Sequence, residues 1–280
     1  MEAARPSRTA LRVALRRAAH QLYDSPVVFY DPIAVPILGP EYLPEVHRTA
    51  TKLHKPFSVA LRAFLVARSR YAEDLLAQAV TNGVTQYVLL GAGLDTFAYR
   101  NPHPNLHVYE VDHPATQAWK RTLLHQSSIP IPPNLTYAPI DFEHHSLPTQ
   151  LLATGFNPTT PTLFAILGVV PYLTLEAFRS TISFIAAHPP GTGLTLDYGQ
   201  PRRVLPFFEQ LAHDSLASRV AQAGEPFQLF FSPAEIANEL AAFSTIEDIG
   251  TPEINERYFA NRTDKLSVRG SAGRLLSAWV

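Results

Sequence analysis

The stretch Gln86-Tyr87-Val88-Leu89-Leu90-Gly91-Ala92-Gly93-Leu94-Asp95-Thr96 decides the fold class. A short apolar run passes straight into G-x-G, the pattern of a buried parallel strand that ends in a tight turn. Glycine at such a turn lets backbone approach a ligand at the carboxyl edge of a sheet, although a purely structural strand-to-helix turn has the same composition. Downstream, Leu106–Val111, Leu135–Ile140, Leu163–Leu167 and Gly193–Asp197 repeat the short apolar run, with helical stretches such as Pro114–Leu124 and Leu175–Ala187 between them. Strand alternating with helix predicts a mainly parallel sheet covered on both faces. Phe243–Ile249 and Leu275–Val280 are expected to close it as an antiparallel pair at one edge, bringing the sheet to seven strands. Ser232-Pro233-Ala234-Glu235 carries the residues of a capping box and reads as a helix start.

Upstream of the strand the chain is helical. Leu11, Ala14, Leu15, Ala18, Ala19 and Leu22 recur at helical spacing, with arginines between them, and a long helix is expected over Ser58–Val80. Prolines at 26, 32, 36, 40 and 44 break the intervening chain into short pieces. The expected organisation is a helical cap over residues 1–75 followed by one α/β unit over residues 76–280.

Composition narrows the function classes. The formal charge of -1 over 280 residues offers no general attraction to nucleic acid or anionic membrane, so a small-molecule partner is expected. The chain has no cysteine, which excludes disulfides and thiolate chemistry and fits a cytoplasmic setting. No apolar run is long enough to span a bilayer, and Met1–His20 lacks the apolar core of a secretory signal. That segment carries Arg5, Arg8, Arg12, Arg16 and Arg17 against Glu2 alone. A solvated helical face is the expected reading, with a targeting role left open. The eleven histidines show no H-x-x-x-H pairing, so no metal is expected, and neither G-x-S-x-G nor a P-loop occurs.

Two features of the spacing bear on a nucleotide ligand. Asp112 stands 21 residues after Gly91, where a Rossmann-like fold hydrogen-bonds a ribose diol. Glu110 lies two positions earlier on the same strand; the two acids are expected to point to opposite faces or edges, so that one is structural, and Glu110 is the fallback. A dinucleotide fingerprint needs a third glycine for close helix–strand packing, and Thr96 occupies that position. A pyrophosphate cofactor is thereby disfavoured over an adenosine that bears an amino-acid tail.

The chain resembles the leucine carboxyl methyltransferase-like family, in its bacterial class I S-adenosyl-L-methionine-dependent branch. The resemblance is carried by FYDPIA (Phe29–Ala34), VARSRYAED (Val66–Asp74), QYVLLGAGLDTFAYR (Gln86–Arg100), VYEVDHPATQAWK (Val108–Lys120), APIDFE (Ala138–Glu143), LGVVPYLT (Leu167–Thr174) and RYFANRTDKL (Arg257–Leu266). It implies a Rossmann-like class I methyltransferase fold and S-adenosyl-L-methionine as cofactor. It further implies that Arg68 pairs with the methionine carboxylate and that Gly91 and Gly93 pass beneath the amino-acid part. Asp112 would then hold the ribose hydroxyls, Asp141 would accept the adenine amine, and Phe142 would pack on the adenine ring. Some protein-methylating members carry glutamate where this chain has Leu167, so their protein substrate is not carried over.

The expected activity is O-methylation of a small-molecule carboxylate or hydroxyl. A carboxylate needs no general base, whereas a hydroxyl needs one or a hydrogen-bond acceptor. Tyr198 after the fifth strand and Tyr172 after the fourth are the candidates, each with packing as its alternative. Phe207, Phe208, Phe227, Phe230 and Phe231 are candidates to wall an apolar pocket or to fill core. A catalytically silent S-adenosyl-L-methionine-binding module and a nicotinamide-dependent dehydrogenase are the competing readings.

Overall fold

The computed structural model describes residues 7–48, 55–140, 146–222, 224 and 226–280. Among the described residues the chain opens with the helices α1 (Arg8–Tyr23), α2 (Gly39–Arg48) and α3 (Pro56–Thr81). Then follow β1 (Gln86–Leu90), β2 (His107–Asp112), α4 (Pro114–Gln126), β3 (Leu135–Pro139), α5 (Leu147–Ala153), β4 (Thr162–Ile166), α6 (Leu175–Ala186) and β5 (Gly193–Gly199). The remainder forms α7 (Phe207–Ala221), α8 (Pro233–Glu239), β6 (Thr245–Ile249), α9 (Thr251–Phe259) and β7 (Gly273–Trp279).

The seven strands form one sheet in the order β3-β2-β1-β4-β5-β7-β6. It is mixed. β1 to β5 are mutually parallel, and β7 runs antiparallel to both β5 and β6. The chain order reverses between β1 and β4, and ligands of open α/β sheets bind at such a switch point, beyond the carboxyl ends of the strands.

β1 shows why its sequence is apolar after Gln86. Val88 and Leu90 pack into the core formed with Phe178 and Ile182 of α6 and Leu151 of α5. Tyr87 and Leu89 point the other way, into a core that includes Leu76 and Ala79 of α3. A strand covered on both faces has no polar side to show. α3 begins with Pro56 at its first position and buries Ala63, Val66, Ala67, Tyr71 and Leu75 in a third core with Leu275 of β7 and Ile254 of α9. The boundary expected at residue 75 therefore falls inside α3, which packs on the sheet along its length. The Ser232 capping box at the start of α8 is formed as read.

α1 lies across the switch point. The Ser7 side chain accepts the Ala10 N–H at 3.1 Å, and Ala14, Ala18 and Ala19 pack against Leu94 after β1, Leu123 of α4 and Val46 of α2. Small residues on this face bring the helix backbone close to the turn after β1. No helix among the described residues is long and apolar enough to cross a membrane.

Candidate functional site

The turn after β1 is built on two glycines with positive φ, +70° at Gly91 and +49° at Gly93. The N–H groups of Gly91 and Ala92 both donate to the Val111 carbonyl, so the turn stays attached to β2. A Cβ on Gly91 would lie 2.3 Å from Val169 Cγ2, and one on Gly93 would lie 3.1 Å from the Ala10 Cβ of α1. Both positions thus need glycine for conformation and for space. The turn lines a cavity of about 540 Å³ at the carboxyl ends of β1, β2 and β4, roofed by α1 and reached by Arg68 of α3. That volume falls within the roughly 300–1,000 Å³ of small-molecule sites.

Asp112 lines this cavity at the end of β2. Its Oδ2 accepts the Gly93 N–H at 2.6 Å and its Oδ1 accepts the His113 N–H at 2.7 Å. An ionised carboxylate offers about four acceptor sites, so capacity remains for a diol. Burial raises the Asp112 pKa, while the two backbone N–H groups act in the opposite direction. Glu110 shares the strand face of Asp112, contrary to the opposite orientation expected, since side chains two apart point the same way. Depth separates the two acids. Glu110 is fully buried and lies outside the cavity, with Oε2 accepting from Lys120 Nζ of α4 at 2.7 Å. Burial, partly offset by the Lys120 ammonium, raises the Glu110 pKa. The fallback for a ribose ligand is therefore an internal ion pair between β2 and α4.

Arg68 reaches the cavity from α3 as the sequence implied. Its Nη1 donates to Asp197 Oδ2 of β5 at 3.1 Å, and its Nε is buried without a hydrogen-bond partner among the described residues. The other Asp197 oxygen accepts the Gly168 N–H. Gly168, with φ +73°, leaves the gap that Arg68 fills: a Cβ there would lie 2.6 Å from Nη1. Asp197 and Gly168 were not identified from sequence. The available signals were an acid in the mostly apolar strand β5 and a glycine two residues after β4.

A second charged group fastens the roof. Arg17 is 3% exposed, not solvated as expected of the α1 arginines. Its Nη2 donates to the Leu94 carbonyl at 2.8 Å and its Nη1 to Asp95 Oδ2 at 3.3 Å. Asp31 of FYDPIA lies 3.6 Å from Arg17 and 3.3 Å from Arg100, which in turn donates to Glu73 Oε2 at 2.7 Å. Thr96, fully buried in the position of a third dinucleotide glycine, donates to Asp31 Oδ2 at 2.7 Å. The residue that departs from the dinucleotide pattern is thus an internal joint.

The two tyrosines separate. Tyr172 lines the cavity and packs on Phe227 with ring centroids 5.4 Å apart. Tyr198 does not line it. Adjacent strand residues face opposite ways, so while Asp197 meets Arg68, Tyr198 enters the core and donates to Asp248 Oδ2 at 2.7 Å. Burial pushes its hydroxyl pKa up further. Tyr198 is therefore withdrawn as a base. The aromatic candidates for pocket wall or core divide as well. Phe231 is core, Phe207 and Phe208 are 67% and 83% exposed, and Gly224, Pro226 and Gln228 are what that segment contributes to the cavity. Asp141 and Phe142, the expected adenine contacts, lie outside the described residues.

A glycine turn, a guanidinium and a carboxylate at the end of β2, all lining one cavity, suit an adenosine with an amino-acid tail. Comparisons with known proteins agree. The chain is 32% identical to a Bacillus subtilis protein named as a candidate S-adenosyl-L-methionine-dependent methyltransferase, YktD, over 93% of this chain and 94% of the relative. It is 30% identical to a similarly named protein of Mycolicibacterium smegmatis, over 84% of this chain and 77% of the relative. Among solved structures, a candidate methyltransferase from Thermobifida fusca superposes with a TM-score of 0.57 at 17% identity, covering 95% of this chain and 93% of that one. A DUF574 family protein from Streptomyces avermitilis gives a TM-score of 0.55 at 17% identity, covering 99% and 98%. These two likenesses concern the fold. The family model for leucine carboxyl methyltransferase matches residues 10–186, a span that holds the glycine turn, Asp112 and Arg68, and the chain belongs to that family.

Proposed function

We propose that this S-adenosyl-L-methionine-dependent methyltransferase methylates an oxygen of a small molecule, a carboxylate or a hydroxyl, rather than a nucleic acid or a membrane component. The observation that carries the reading is one cavity of about 540 Å³ in which Arg68, the Gly91–Gly93 turn and Asp112 meet beneath α1. Bound there, S-adenosyl-L-methionine supplies a methyl group already activated on its sulfonium.

The chain's own residues then have positioning work. Arg68 offers a planar donor set to the cofactor's carboxylate. Gly91 and Gly93 let backbone lie against the amino-acid portion, and Asp112 accepts from the ribose. α1 roofs the site, and a roof that limits water there would favour a transfer that depends on alignment. The remaining wall combines the apolar side chains of Val13, Val169 and Leu173 with Tyr172 and Gln228, a lining suited to a small, partly apolar acceptor. A carboxylate acceptor needs no base here. For a hydroxyl, Tyr172 is the hydrogen-bond partner within the cavity.

The test uses methyl-labelled S-adenosyl-L-methionine with separate panels of small carboxylic acids, alcohols and phenols. S-adenosylhomocysteine release and label in the small-molecule fraction are both measured. Product label that mild base cleaves identifies a methyl ester, and base-stable, hydroxyl-dependent label identifies an ether. Label found only on nitrogen or carbon acceptors, or only in macromolecules, overturns the reading.

A further inference from the structure

We infer that Asp197 is a positioning residue for the cofactor, acting through Arg68 and Gly168; the inference rests on the cavity holding S-adenosyl-L-methionine. Asp197 does not line the cavity, but its two oxygens are divided between the cavity's two nearby elements. Oδ2 takes Arg68 Nη1 at 3.1 Å, and Oδ1 takes the backbone N–H of Gly168. The Arg68 and Asp197 side chains are only 8% and 9% exposed, so solvent screens the pair weakly.

The geometry determines what the pair does. An arginine alone in this setting would have many rotamers and a buried charge without a counter-ion. Asp197 removes both problems, because it fixes one edge of the guanidinium and balances its charge. The Arg68 edge that faces the cavity then presents directed donors without excess positive charge, which suits a zwitterionic amino-acid group better than a bare cation does. The same carboxylate holds the Gly168 turn, whose missing Cβ gives Arg68 its place. The orientation of α3's arginine and the path of the loop after β4 are thus set by one side chain of β5.

Asp197→Asn is the informative variant. Its amide oxygen can still accept the Gly168 N–H, whereas its NH2 meets Arg68 donor to donor. Gly168→Ala displaces Arg68 from the other side, since its Cβ would fall 2.6 Å from Nη1. Affinities for S-adenosylhomocysteine and 5′-methylthioadenosine, which lacks the amino-acid tail, are measured by calorimetry on the full chain. Thermal unfolding reports whether each variant is folded.

Asp197→Asn is expected to weaken S-adenosylhomocysteine about 10- to 100-fold, the scale of one charge-assisted hydrogen bond, and 5′-methylthioadenosine by less than about 3-fold. Gly168→Ala should show the same selectivity, and it decides the matter if Asp197→Asn does not fold. Arg68→Ala combined with Asp197→Asn should lose no more S-adenosylhomocysteine affinity than Arg68→Ala alone. In turnover, Asp197→Asn should raise KM for S-adenosyl-L-methionine more than it lowers kcat. Equal losses for both ligands in a folded variant, or additive losses in the double variant, overturn the positioning role. A wild-type chain that binds neither ligand instead removes the cofactor reading beneath it.

Discussion

Gly91→Ala isolates the contact between the turn after β1 and the loop after β4. The new methyl must adopt φ near +70° and would stand 2.3 Å from Val169 Cγ2, but 3.6 Å from the Val169 Cβ. The left-handed conformation costs about 1–2 kcal/mol for a residue with a Cβ. Forcing a methyl into filled space adds about 1–3 kcal/mol. The single variant should therefore lose about 2–5 kcal/mol. Val169→Ala removes the clashing methyl and leaves an ordinary contact. Because Val169 is only partly buried, that change should cost about 1 kcal/mol by itself. The double variant should then retain the conformational cost while recovering the steric one, for a favourable coupling of about 1–3 kcal/mol. Urea unfolding of the four proteins measures it, with midpoints compared at constant slope. Strict additivity, with no recovery in the double variant, refutes the close approach of Val169 to Gly91.

Three further outcomes follow from the site and its roof. Asp112→Ala should weaken S-adenosyl-L-methionine binding by about 1.5–3 kcal/mol in a titration, whereas Glu110→Ala, which breaks a buried pair with Lys120, should cost about 3–5 kcal/mol of stability and little affinity; the reversed pattern shifts the ribose contact two positions along β2. Arg17→Ala should unfasten α1 from Leu94 and Asp95, so limited proteolysis within residues 7–45 should quicken, and added S-adenosyl-L-methionine should protect less than in the wild type; identical digestion in both proteins rejects Arg17 as the fastening. Burial raises the Asp24 pKa, but hydrogen bonds from His20 and Arg62 outweigh it and lower the value from 3.8 to about 2. A depressed carboxyl contributes stability above its unfolded value and loses it as pH falls through the folded one, so wild type should lose its advantage over Asp24→Asn between about pH 4 and pH 2; a constant difference across acid unfolding curves counts against the Asp24 pair.

The sheet was legible because its central strands are covered on both faces. QYVLL and LFAIL have no apolar–polar alternation to confuse, and a glycine follows each where the backbone must turn. Their ends shifted by a residue or two, because an apolar run does not reveal where pairing stops. Arg68, Gly91, Gly93 and Asp112 were found because resemblance or spacing pointed to them, and the structure gathers all four at one cavity. What escaped was long-range pairing. Arg17 looks like its solvated neighbours in α1, and only the fold brings Asp95 beside it. Asp197 and Tyr198 show the limit of local reading most clearly. Both sit at the active edge, but strand alternation sends the acid towards Arg68 and the tyrosine into core. In a similar way, Glu110 and Asp112 look alike in sequence, and only the presence of Lys120 beneath Glu110 distinguishes the internal acid from the one facing the cavity.

The cavity between β1, β2 and α1 is proposed to hold S-adenosyl-L-methionine, with Arg68 on its carboxylate. The most direct measurement is calorimetric titration of the wild type and Arg68→Ala with S-adenosyl-L-methionine, adenosine and NAD side by side. Saturable S-adenosyl-L-methionine binding is predicted without measurable NAD binding, and Arg68→Ala should weaken the full cofactor far more than adenosine. Saturable NAD binding with none for S-adenosyl-L-methionine, or equal losses for adenosine and the full cofactor in Arg68→Ala, would contradict it.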